Sequence, residues 1–371
     1  MITERSNKYH YKVDESGDYK RLSSPNANYI FNKKDGMTLS WGKTLKEDPE
    51  CFPGPVIADI EVTVGCLGLK GDEGKSICPF CYKSNTANNV KYMTFETFKK
   101  IFDVLPKTLT QIAFGADATL QLNPDLWKIM EYSRENGVIP NITLANVIND
   151  EIADNLAKYC GAVAISRYNI PDICYDSVKK LTDRGMKQVN IHYMISKETL
   201  KGAYETIDSA STDERLKGLN AIVFLSLKTK GRGEHGFTPL TQEEFTDLVN
   251  YAREKNVGVG FDSCSSLKAF NAYKGTEDEK VVEKYIEPCE SSLLSLYINV
   301  EGKYFPCSFT EGYKGEDLDW SEGIDVLECK DSEEFLDKVW NNEKTKDFRR
   351  RLLESKRNNE YNCRTCPLYN I

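Results

Sequence analysis

Three cysteines stand where chemistry can be done. Cys66 ends the alternating run Asp59-Ile-Glu-Val-Thr-Val-Gly, and Cys78-Pro-Phe-Cys81-Tyr follows a glycine-rich acidic insert at 67–77. A closed structural zinc site takes four ligands, whereas three thiolates on a cuboidal iron-sulfur cluster leave one iron free to bind something else. The spacing by itself leaves both chemistries open. Cys289, Cys307, Cys363 and Cys366 form a second group at the end of the chain, and the Cys-x2-Cys pair beside a hairpin pattern taken alone favours a zinc ribbon. Cys264, at a strand end, can donate a hydrogen atom or bind substrate, against the bland reading of an inert thiol. Cys160 and Cys174 lie within or beside helical patterns and read as small core residues. Cys51 and Cys329 have no assigned role.

The elements that must position these residues follow from periodicity. Strand-like runs at 57–64, 111–114, 139–145, 162–166, 188–195, 221–227 and 257–261 alternate with helical patterns. Helix starts are expected at Asn123-Pro124 and near Asp150, Asp172, Ser196 and Thr241, the last with Glu244 at capping-box spacing. Such alternation implies an α/β fold with a parallel sheet, open or closed into a barrel, and chemistry at the carboxyl ends of its strands. Those ends carry Cys66, Gly115-Ala116-Asp117, Asn146, Ser166-Arg167, Ser196, Lys228 and Asp262-Ser-Cys264. Residues two apart share a strand face, so Asp59, Glu61 and Thr63, and Asn190, His192 and Met194, are expected to line the interior. The alternative for Asp59, Glu61 and His192 is a buried structural network. Residues 1–54 read as an appendage with a hairpin turning at Asp35-Gly36, residues 55–265 as the main α/β unit, and residues 266–371 as a cysteine-bearing module with a hairpin at Glu301-Gly302.

Composition narrows the function. The 371 residues carry a net charge of −8, with acidic residues spread along the chain, which argues against duplex nucleic acid as the main partner. No apolar run approaches the roughly 20 residues of a membrane span, the polar start is unlike a signal peptide, and a cytoplasmic location is expected. Twelve cysteines in a reducing compartment point to metal or catalysis rather than disulfides. Lys70-Gly-Asp-Glu-Gly74-Lys75-Ser76 is not read as a phosphate loop, because Leu69 replaces its first glycine and Asp72 and Glu73 repel phosphate.

Cys66, Cys78 and Cys81, with Phe80 before the last, resemble the cluster loop of radical S-adenosylmethionine (radical SAM) enzymes, whose usual spacing is Cys-x3-Cys-x2-Cys. Eleven residues separate Cys66 from Cys78 where three are usual. Gly115-Ala116-Asp117 stands where the family has a Gly-Gly-Glu-Pro-like motif, Ser166-Arg167 ends the fourth strand, and Lys228-Thr-Lys-Gly-Arg232 follows the sixth. Cys289, Gly302 and Cys307, with Cys363 and Cys366, resemble the SPASM/Twitch extension, and their number fits the Twitch form.

The resemblance implies a partial (β/α)6 barrel with a Twitch-like module. It implies a 4Fe-4S cluster on Cys66, Cys78 and Cys81 and one auxiliary 4Fe-4S cluster on Cys289, Cys307, Cys363 and Cys366. S-adenosylmethionine (SAM) is then held by Phe80, Gly115, Ala116, Asp117, Ser166, Arg167, Asn190 and His192, with Cys264 as a catalytic candidate. An electron donor such as flavodoxin or ferredoxin is implied, and the expected reaction is oxidative modification of a peptide or small molecule. The alternatives are a nucleotide or nucleic-acid base as substrate, and a non-catalytic cluster-binding or scaffold protein.

Overall fold

The computed structural model describes residues 2–71, 74–76, 78–145, 148–168, 170–356 and 364–368. Seven parallel strands follow the sequence in order: Ile57–Glu61, Gln111–Gly115, Ile139–Leu144, Ala162–Ser166, Gln188–Ile195, Ala221–Ser226 and Val259–Phe261. Each of the first six is followed by a helix, beginning with Phe95–Val104 and ending with Gln242–Glu254, so the expected run of six strand-helix units is present. Local chemistry sets their ends. The Thr94 side chain caps the first helix, Asn149 the third, and Thr241 with Glu244 makes the expected capping box on the sixth. The Asn123-Pro124 start is shifted: Asn123 Oδ1 accepts from Asp125 N at 2.9 Å, its Nδ2 donates to Val62 O and Met93 O at 2.8 and 3.1 Å, and the helix begins at Leu126.

The fifth strand, Gln188–Ile195, shows the expected alternation of buried and half-buried residues along its whole length. Its odd-numbered residues, Val189, Ile191, Tyr193 and Ile195, pack under the helices. The polar face is left to the interior, and burying the apolar face of each strand contributes about 2 kcal/mol per large side chain.

Two features were not legible in the sequence. The amino-terminal hairpin, Asn28–Asn32 with Thr38–Trp41, belongs to a five-stranded antiparallel meander that also includes Ile2–Ser6, Tyr11–Ser16 and Tyr19–Ser23. This sheet rests on the amino-terminal ends of the parallel strands. The buried Lys20 ammonium donates to Leu109 O at 2.6 Å, Lys107 N donates to Glu4 Oε1 at 3.2 Å, and Gln188 Nε2 donates to Asp35 O. Second, the hairpin Ser295–Ile298 and Lys303–Phe305 continues the main sheet, since Ser295–Ile298 pairs in parallel with the first strand, Tyr297 opposite Asp59. The sheet therefore has ten strands, closed at that edge by Ile324–Asp325. The late amphipathic helix is divided at Asn341-Asn342 into Ser332–Trp340 and Glu343–Lys356, and Trp340 is fully buried.

Candidate active site

The parallel strands enclose a cavity of about 590 Å³ that opens at their carboxyl ends. Cys66, Cys78 and Cys81 all line it, along with Phe80, so the chain brings the three thiols to one place despite the insert between them. The reason is local. Val64 pairs with Lys91 and Thr63 with Tyr92, which pins the base of the whole loop, and Cys66 N donates to Thr86 O at 3.0 Å. The insert returns on itself as the antiparallel pair Leu69–Gly71 and Gly74–Ser76, so its length does not carry Cys78 away from Cys66. Its residues 72, 73 and 77 lie outside the described residues.

The loop is also held from the other side. Arg232 Nε donates to Cys78 O at 2.8 Å, its Nη2 to Asn85 O at 3.1 Å and its backbone N to Cys81 O at 3.1 Å. Lys230 Nζ donates to Phe309 O and Glu311 O at 3.0 and 2.7 Å, which ties the same segment to the carboxyl-terminal module. The Phe80 ring stacks on Tyr168 at 5.4 Å and meets Phe237 edge-on at 5.6 Å. Gly68 N donates to Cys66 Sγ at 3.3 Å, the kind of amide contact that favours a thiolate ligand.

The other expected site residues divide. Gly115, Ala116, Asp117, Ser166 and His192 line the cavity. Asp117 is buried, and its carboxylate accepts from Thr119 N at 2.9 Å, Leu122 N at 3.2 Å and the Thr119 hydroxyl, which leaves limited acceptor capacity for a ligand. Arg167 and Asn190 are not brought to the lining. Arg167 turns to Glu205 at 3.5 Å and to the Tyr193 ring, and Asn190, one layer deeper on its strand than His192, accepts from Asn220 Nδ2 at 2.9 Å. Cys264 sits in the turn after the seventh strand, outside the lining. Burial pushes its thiol well above the ordinary value, an effect opposed by the nearby Lys228 ammonium.

Among the carboxyl-terminal cysteines, Cys289 is buried, with its Sγ 3.5 Å from Ser291 Oγ, and Leu368 N donates to Cys366 Sγ at 3.4 Å. Cys363 lies outside the described residues. No three His, Cys, Asp or Glu side chains among the described residues converge as a mononuclear metal site requires, whereas a cuboidal cluster spreads its thiolates over several irons. Cys51 is not in the lining, and Cys160 and Cys174 are core residues, packed against Met130 and Ile165.

Sequence reasoning missed the network that joins the two halves of the site. Lys83 lies 3.0 Å from Glu61, pairs with Glu311, and donates to Tyr297 Oη at 2.7 Å. Asn299 Nδ2 donates to the other Glu311 oxygen at 2.9 Å. Lys83 and Glu311 are 228 residues apart, and no local pattern links them. Lys228 makes a second ion pair with Asp262, which also accepts from the Ser265 hydroxyl.

Asp59 is exposed to the cavity, but the enclosing walls raise its carboxyl to about 6, and burial lowers the His192 imidazole to about 4, the latter partly opposed by Asp262. The signs oppose. The raised Asp59 makes the folded state bind more protons than the unfolded one between its ordinary value near 4 and about 6, so its contribution falls as pH rises through that window. The lowered His192 costs stability as pH falls from about 6.5 toward 4. Asp59→Asn is therefore expected to raise stability at pH 7 relative to pH 4, measured as the difference between urea midpoints at the two values. A wild-type-like difference in the variant contradicts the assignment.

Residues 289–367 match the SPASM family, an iron-sulfur cluster-binding domain, over a span that includes all four late cysteines. No curated protein matches the chain. Among solved structures it is similar to SuiB of Streptococcus suis, at 14% identity and a TM-score of 0.63 with 90% of each chain covered. It is also similar to SuiB bound to S-adenosylmethionine, at 14% identity and a TM-score of 0.61, over 91% of this chain and 90% of that one. Among the described residues no helix is long and apolar enough to cross a membrane. The chain shares the SuiB fold, and its carboxyl-terminal part matches an iron-sulfur cluster-binding domain.

Proposed function

We propose that this protein is a radical SAM enzyme that modifies a peptide or small polar molecule oxidatively. The observation that carries the reading is the convergence of Cys66, Cys78 and Cys81 on one cavity, at the carboxyl ends of the parallel strands, beside a module that matches SPASM. SuiB, which shares the fold, has been solved with S-adenosylmethionine bound. When bound, a 4Fe-4S cluster and SAM supply an electron and a 5'-deoxyadenosyl radical that takes a hydrogen atom from the substrate.

The chain's own residues do the rest. Cys66, Cys78 and Cys81 would hold the first cluster, and Cys289, Cys307, Cys363 and Cys366 would hold the auxiliary one, which would supply a site for an electron in an oxidative reaction. Phe80, Gly115, Ala116, Asp117, Ser166 and His192 form the wall against which SAM is oriented. The aromatic packing of Phe80, Tyr168 and Phe237 excludes water from the loop. A reducing protein of the flavodoxin or ferredoxin kind, in the cytoplasm, supplies the electron.

Anaerobic reconstitution is expected to give about eight irons per chain, and dithionite with SAM is expected to release 5'-deoxyadenosine. The double variant Cys78→Ala, Cys81→Ala is expected to keep about four irons and release none. About two zincs without a brown chromophore sinks the reading. A wild type that binds iron but releases no deoxyadenosine under these conditions is a cluster-binding protein instead.

A further inference from the structure

The charged groups of the cavity are paired, with one exception. Four carboxylates, Asp59, Glu61, Asp117 and Asp262, and two lysines, Lys83 and Lys228, line it. Both lysines are committed, Lys83 to Glu61 and Glu311 and Lys228 to Asp262. Asp117 is held by Thr119 and Leu122. Asp59 has no hydrogen bond or ion pair with any described residue, and its side chain opens into the cavity.

Its place on the strand sets it apart from the cysteine loop. Asp59 lies one pleat deeper than Glu61 on the same face, while Cys66 lies beyond the carboxyl end of that strand. The parallel register places Ala113 beside it on one side and Tyr297 on the other. Ala113 offers only a methyl group, so the cavity reaches the carboxylate there, and both residues line it. The Asp59 carboxylate is exposed to the cavity and no cationic side chain among the described residues pairs with it, so a positively charged group entering the cavity meets a free charged acceptor there.

We propose that Asp59 is a specificity-determining residue that pairs with an alkylammonium or guanidinium group of the substrate. This rests on the radical SAM reading only in calling the ligand a substrate. The same group can come from a lysine or arginine side chain of a peptide or from a free amine.

The test is calorimetric titration of the reconstituted full-length protein with SAM and no reductant. The probes are Nα-acetyl-lysine N-methylamide with its neutral norleucine counterpart, and n-butylammonium with 1-butanol. The wild type is expected to bind at least one cation about tenfold more tightly than its neutral counterpart, the effect of a charge-assisted hydrogen bond. Preference through the capped lysine identifies a peptide side chain, and through butylammonium a free amine. Asp59→Asn is expected to abolish the preference, with iron content and melting curve as controls on folding. Ala113→Leu, which keeps the charge but fills the space beside it, is expected to weaken the cation about tenfold, and decides the matter should Asp59→Asn not fold. Equal binding of cation and neutral probe by the wild type, a preference that survives Asp59→Asn, or binding of none of the probes overturns the proposal. Deoxyadenosine release by the wild type is read separately. Its absence removes the radical reading and leaves a cation preference standing, whereas its presence without a preference overturns the role of Asp59 alone.

Discussion

Gly231→Ala is expected to strip the iron from the cysteine loop while sparing the carboxyl-terminal module. Gly231 has φ +59°, and a Cβ there falls 2.4 Å from Tyr82 O and 2.8 Å from Cys81 O. Both obstacles are backbone atoms of the loop that carries the thiols, so no side-chain rotation relieves the overlap. The left-handed backbone alone costs a non-glycine residue about 1–3 kcal/mol, and the overlap adds to it. Relief requires Tyr82 and Cys81 to move, which breaks the bond from Arg232 N to Cys81 O and the two from the Arg232 guanidinium to Cys78 O and Asn85 O. Iron analysis should fall from about eight to about four per chain, with deoxyadenosine release lost. Arg232→Met removes only the side-chain bonds and keeps the glycine turn, so its iron content is expected between the two. A Gly231→Ala protein with its full complement of iron shows that the loop is not positioned by this segment.

Lys83→Met is expected to lower stability by about 3–5 kcal/mol, the range for breaking a buried ion pair by removing one partner. The side chains of Lys83, Glu61 and Glu311 are 14%, 7% and 25% exposed, so solvent screening is limited. One ammonium serves two carboxylates. Burial raises the Glu61 carboxyl, and Lys83 is the group that draws it back down. Without the lysine Glu61 and Glu311 face each other with neutral donors alone among the described residues, Val300 N to Glu61 and Tyr297 and Asn299 to Glu311. The penalty should be larger at pH 7 than at pH 5, because protonating either carboxylate removes the repulsion. Glu61→Gln with Glu311→Gln in the Lys83→Met background is expected to recover most of the loss, since no unpaired charge then remains buried. Urea unfolding at both pH values checks this, and a single variant within 1 kcal/mol of wild type refutes it.

These two expectations show where sequence reading stops. The strand runs, the six strand-helix units and the capping box at Thr241 follow from patterns within about twenty residues, which local periodicity and hydrogen bonding encode. The cysteine positions and the polar inner face were legible for the same reason, because residue type and a period of two are properties of the chain itself. The three polar amino-terminal strands escaped notice: Lys12, Asp14, Lys20 and Arg21 mask the alternation, and a sheet forms there because Tyr11, Val13 and Leu22 find a surface to bury against. Tertiary structure alone decided that Cys66 and Cys78 line one cavity, since the insert pairs with itself and Val64 pairs with Lys91 at the base of the loop. It also turned Arg167 away from the cavity toward Glu205, set Ser295–Ile298 beside the first strand, and gave Lys83 its partner across 228 residues. Contacts at such separation depend on how layers pack, and the free energy that selects them is summed over the whole core, so no single stretch of sequence records them.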